Sequence, residues 1–130
     1  VGLRPGFKVV ATDVCVPLSR LAECVVDTQR DIEKTGLLAP IVGHVGDGNF
    51  HVSVLVDMED AAHVKRVDDF LHRLVRRGLA MEGTCTGEHG VGQMKRKYLP
   101  EEHDPGALAM MRSVKAALDP LGIMNPGKIL

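Results

Sequence analysis

Asp47-Gly48 stands between two apolar runs, Ala39 to Val45 and Phe50 to Val56. A type I′ turn needs φ > 0 at both central residues, which Asp-Gly supplies, so the dipeptide predicts a tight hairpin. With Asp47 and Gly48 as the turn, Gly46 faces Asn49, Val45 faces Phe50 and His44 faces His51. Directly opposed residues on antiparallel strands have Cβ atoms about 5 Å apart and share a face. Two imidazoles at that spacing can share one metal ion. Moving the turn by one residue would put His51 opposite Gly46 and part the rings.

The elements around the hairpin follow from spacing. Phe7 to Val16, rich in Val and Thr and stopped by Pro17, predicts a strand. Ser19 is the expected cap of a helix whose apolar positions Leu21, Ala22, Val25 and Ile32 recur near helical spacing until Thr35-Gly36. A second helix is expected from Ala61 to Arg77, with Gly78 as its stop, and Leu79 to Cys85 reads as a short strand. Gly83, Gly87, Gly90 and Gly92 make Thr84 to Met94 a tight loop. Asp104-Pro105 opens a last helix, Asp119-Pro120 closes it, and Gly122 to Leu130 reads as an irregular tail. The order β-α-β-β-α-β plus a C-terminal helix implies an α+β fold: a ferredoxin-like split βαβ, its antiparallel sheet carrying helices on one face.

Composition narrows the function classes. The 130 residues leave room for one domain, and 45% hydrophobic with 25% charged residues are globular values. Sixteen Lys/Arg against seventeen Asp/Glu provide no basic field for nucleic acid. The most apolar segment, Ile41 to Val56, is broken by His44, Asp47, Asn49 and His51, so no run reaches the roughly eighteen residues of a membrane span. Cys15, Cys24 and Cys85 form no paired pattern, which points to a reducing, cytoplasmic setting. The chain starts without Met and is expected to be a piece of something longer.

A metal on His44 and His51 wants a third ligand, and Glu88, in Gly87-Glu88-His89-Gly90-Val91-Gly92, is the candidate carboxylate if that loop emerges beside the hairpin. Two His and one carboxylate leave positions open for water or substrate, the pattern of a catalytic site. Taken alone, the histidines also fit a packed, hydrogen-bonded pair, and the loop also fits a simple turn. Two other classes stay open: a divalent-metal-dependent hydrolase using the same residues, and a non-catalytic interaction module.

Three segments in order carry a resemblance: Gly43-His44-Val45-Gly46-Asp47-Gly48-Asn49-Phe50-His51, Gly83 to Gly92, and Asn125-Pro126-Gly127-Lys128. They resemble the C-terminal part of FAD-linked oxidases, and Thr12 to Leu21 narrows the likeness to cytochrome-type D-lactate dehydrogenases, with glycolate oxidase subunits and D-2-hydroxyglutarate dehydrogenases as cousins. The resemblance implies an FAD-linked D-2-hydroxy acid dehydrogenase. His44, His51 and Glu88 would hold zinc or manganese and His89 would be the acid/base, with Arg20 a candidate for the substrate carboxylate and Asn125 approaching the flavin. It implies a small 2-hydroxy acid as substrate, a quinone or cytochrome as electron acceptor and no nucleic acid, and is compatible with a homodimer. A location peripheral to the membrane, mitochondrial in a eukaryote, fits the same likeness. Residues 1–130 would form the latter part of the substrate (cap) domain, with the FAD-binding domain outside this chain and no turnover expected from it alone. Ser53 and Ala11 stand where the hydroxyglutarate branch tends to carry Asn and Lys, which favours a small monoacid such as D-lactate.

Overall fold

A computed structural model describes residues 4–130. The Val/Thr-rich segment forms two strands, β1 (Lys8–Ala11) and β2 (Val14–Cys15), both antiparallel to β4 (Asn49–Val56). They keep one register along it: Lys8 opposes Val56, Ala11 opposes Ser53, Val14 opposes Phe50 and Cys15 opposes Asn49. The single strand expected over Phe7 to Val16 is therefore interrupted at Thr12-Asp13. There Val52 N–H donates to the Thr12 hydroxyl at 2.8 Å, and the Thr12 carbonyl is left to accept from the His51 ring at 3.0 Å.

β3 (Ile41–His44) lies along the other edge of β4, with Val42 opposite His51 and His44 opposite Asn49. This corrects the expected hairpin. The chain turns through a short 3-10 segment, Val45–Asp47, followed by Gly48 at φ 71°. The two-residue Asp-Gly turn and the direct His44–His51 pairing do not form. A tertiary contact overrides the local preference: Val16 N–H donates to the Gly48 carbonyl at 3.0 Å, and a Cβ on Gly48 would lie 2.2 Å from the Val16 carbonyl oxygen. The pairing moves by two residues, so both histidines stay on one face, whereas a slip of one would have reversed one of them.

Helices α1 (Leu21–Thr35) and α2 (Ala61–Ala80) complete the split βαβ. Ser19 does not cap α1, because it lies inside a 3-10 turn, Leu18–Arg20, that leads into the helix. At the other end Gly36, at φ 65°, returns its N–H to Ile32 as expected. The Asp60 side chain caps α2 through the N–H groups of Ala62 and His63. Gly78 does not stop this helix. It is buried inside it, where a Cβ would come 2.6 Å from a Val14 methyl, so it serves close packing of helix on sheet. Leu79 and Ala80 finish α2, and the strand expected over Leu79 to Cys85 shrinks to one antiparallel bridge between Thr84 and Cys15. The α+β architecture holds, with its fourth strand reduced to that bridge. A short α3 (Leu99–Glu102) precedes α4 (Pro105–Leu118), which Asp104 caps through Ala107 N–H. The tail beyond α4 is irregular, and Met110, Val114, Leu118 and Leu121 are exposed.

Alternation along β4 divides its two faces. Phe50, Val52, Val54 and Val56 join Val14, Cys24, Phe70 and Leu74 in the core beneath the helices. His51 and Ser53 point to the face the helices leave open. The helices are tied to each other at Asp31, whose carboxylate accepts from Arg73 at 2.8 Å and Arg77 at 2.9 Å, while Arg77 also donates to Thr28. Burial opposes ionisation of Asp31, but the Arg73 and Arg77 hydrogen bonds and charges outweigh it and hold the carboxyl below its ordinary range.

Candidate functional site

On that open face His51 is fixed by the break in the neighbouring strand. A carbonyl only accepts, so the contact to Thr12 places the ring proton on Nδ1 and leaves the Nε2 lone pair free. Nε2 faces Glu88 Oε2 at 3.7 Å, and His44 Nε2 lies 3.3 Å from Glu88 Oε1. The two rings stand 5.8 Å apart and nearly perpendicular. One ligand atom from each of His44, His51 and Glu88 falls within 4.8 Å of the others. The imidazole of His89 stacks on that of His51, with centroids 5.0 Å apart and planes 12° from parallel. The structure thus gathers His44, His51, Glu88 and His89.

The loop that delivers Glu88 and His89 is received by Asp13, which the sequence reading did not single out. Asp13 carries a 1% exposed side chain, and its carboxylate accepts from the N–H groups of Gly87 (2.8 Å), Glu88 (2.9 Å) and His89 (2.8 Å) and from the Thr86 hydroxyl (2.8 Å). Asn49 Nδ2 donates to it at 2.8 Å, and Lys95 Nζ lies at 3.4 Å. Burial opposes ionisation here too, but the His89 N–H, Asn49, Thr86 and Glu88 hydrogen bonds prevail and keep the carboxyl far below the usual carboxylate range. Gly87 is required by this packing, since a Cβ there would lie 1.6 Å from Asn49 Nδ2. The one signal in the sequence was a lone carboxylate inside a Val/Thr strand pattern.

Arg20 and Asn125 are not brought to this cluster. The Arg20 guanidinium pairs with Glu23 at 2.9 Å, from a turn that packs against the Val45–Asp47 turn. Asn125, at φ 47° in the exposed tail, accepts from Lys128 N–H through its carbonyl. Among the described residues neither makes a hydrogen bond or ion pair with His44, His51, Glu88 or His89.

The chain belongs to the family of FAD linked oxidases, C-terminal domain, whose model matches residues 1–129. It is similar, at 53% identity over 130 residues, to a probable D-lactate dehydrogenase, mitochondrial, of Danio rerio, covering 100% of this chain and 26% of that protein. It is 43% identical over 128 residues to the D-lactate dehydrogenase (cytochrome), mitochondrial, of Arabidopsis thaliana, covering 98% and 23%. The chain spans about a quarter of the length of these curated relatives. Among solved structures, 4-ethylphenol oxidase from Gulosibacter chungangensis shares the fold at a TM-score of 0.66 and 24% identity, over 96% of this chain and 25% of that one. Membership of this family does not favour the hydrolase or the interaction module. No helix of the described residues is long and apolar enough to cross a membrane.

Proposed function

We propose that this chain supplies the substrate-binding part of an FAD-dependent D-2-hydroxy acid dehydrogenase that oxidises D-lactate to pyruvate. The observation that carries this reading is the convergence of His44, His51 and Glu88 on one point beside the His89 ring. The two imidazoles suit zinc, and the carboxylate also admits the harder manganese ion. When bound, such an ion supplies Lewis acidity toward the hydroxyl and a carboxylate oxygen of the substrate, and FAD supplies a hydride acceptor.

The chain's own residues do the rest. His51 keeps its proton on Nδ1 through the Thr12 carbonyl, a contact that fixes both tautomer and ring orientation. Glu88, from the loop, completes the ligand set. His89 takes the hydroxyl proton on a ring nitrogen while hydride leaves the substrate carbon, a task suited to imidazole near neutral pH. Arg20 and Asn125 keep only the roles that the family resemblance suggests, toward the substrate carboxylate and the flavin, since Arg20 pairs with Glu23 and Asn125 lies in the tail. Ala11 and Ser53 are directly paired, and Ser53 lies two residues from His51 on the open face. Neither offers a cation or an amide for a second carboxylate, which supports a small monoacid. The flavin is held mainly by polypeptide outside these 130 residues, which form the latter part of the cap domain. Electrons pass on to a quinone or cytochrome, and the two relatives described above are mitochondrial by name.

The test is metal content by elemental analysis of wild type and His51→Ala, with circular dichroism to verify folding. Loss of the ion in the variant is expected. Full occupancy in His51→Ala would overturn the assignment.

A further inference from the structure

We infer that Asp13 is the positioning residue of this site: its buried carboxylate sets Glu88 and His89 against His51. The functional meaning rests on the proposed metal and acid/base roles; the geometry stands by itself. Among the described residues no backbone–backbone hydrogen bond holds residues 86–90. Their anchor is Asp13, on which three consecutive N–H groups and the Thr86 hydroxyl converge, an anion seated in a backbone nest. Asp13 is itself held at the sheet. It falls in the break between β1 and β2, its carbonyl accepts from Lys95 Nζ at 2.8 Å, and its Oδ1 lies 3.8 Å from His51 Nδ1.

One carboxylate therefore spans the strand that carries His51 and the loop that carries Glu88 and His89, segments the chain alone leaves far apart. An amide of the same size cannot replace it. Asn would turn an NH₂ donor toward a set made wholly of donors: three N–H groups, a hydroxyl, the Asn49 amide and an ammonium. Partners one step beyond the ligands typically tune metal affinity by about 10–100-fold.

The experiment compares wild type with Asp13→Asn in the natural polypeptide that carries this chain, by amide hydrogen exchange and by zinc titration. Exchange at residues 87–89 should rise at least about tenfold while β4 residues Val52 and Val54 keep their protection. Zinc affinity should fall by about 10–100-fold. Unchanged exchange at 87–89 overturns the inference, and so does faster exchange with zinc affinity intact. If wild type itself binds neither zinc nor manganese, the metal reading fails and exchange alone decides on Asp13. Should Asp13→Asn not fold, Thr86→Val removes one donor from the same carboxylate. A smaller rise at 87–89 then supports the anchor, and no rise refutes it.

Discussion

Gly87→Ala tests the packing of the site in a single methyl group. The new Cβ would sit 1.6 Å from Asn49 Nδ2 and 2.8 Å from Asp13 Oδ1, where ordinary contact begins at 3.4 Å. Two relaxations are open. If the loop retreats, the N–H groups of Gly87, Glu88 and His89 leave Asp13 together, and each hydrogen bond to a charged group is worth about 1.5–3 kcal/mol. If Asn49 swings away, its bond to Asp13 breaks and Asp13 Oδ1, still 2.8 Å from the new Cβ, must shift as well. The second route costs less, so the expected destabilisation is about 1.5–3 kcal/mol. With an unfolding entropy of about 2.1 cal/mol/K per residue, a chain of 130 residues loses about 4 °C of Tm per kcal/mol. Calorimetry should therefore show Gly87→Ala melting about 5–11 °C below wild type. Gly46→Ala is the control, because a Cβ there meets nothing within 4 Å. Equal melting temperatures for the two variants would refute the reasoning.

Three further outcomes are expected. His89→Ala should lower kcat/KM by about 10²–10⁴-fold in flavin-bearing enzyme while metal content stays constant, and an unchanged kcat/KM would remove His89 from the chemistry. Ala11→Lys combined with Ser53→Asn puts a cation and an amide side by side near His51. The ratio of kcat/KM for D-2-hydroxyglutarate over D-lactate should rise, and a fixed ratio would deny these positions a part in specificity. Asp31 has a lowered carboxyl pKa when folded, so its clamp contributes fully above the unfolded value near 3.9 and is lost as pH falls below it. Melting curves between about pH 5 and about pH 2 should then fall less steeply for Asp31→Asn than for wild type, and parallel curves would count against the clamp.

What could be read from the sequence was whatever local chemistry decides. The β4 run, the helices α1, α2 and α4, the Asp104 cap and the Glu88–His89 loop follow from spacing and turn residues, whereas the break at Thr12-Asp13 in the first strand does not. The hairpin was placed correctly but its register was not, because the Gly48–Val16 contact is non-local. The histidine pair survived that error, since a displacement of two residues preserves the face. Leu79-Ala80-Met81 reads as the start of a strand because a short apolar run extends a helix as readily as it makes a strand, and Gly78 reads as a stop although it makes room for Val14. Asp13 was out of reach. Its partners in the loop lie more than seventy residues away, and only the folded sheet shows that a carboxylate in a Val/Thr run has a loop to hold.

β4 carries a consequence for how such a protein diversifies. Its inward side chains are committed to holding the molecule together, while their neighbours His51 and Ser53 are half-buried on the side of the sheet that carries the site. On the proposed reading, exchanges at Ser53 and at its cross-strand partner Ala11 would shift substrate preference while the apolar interior stays as it is.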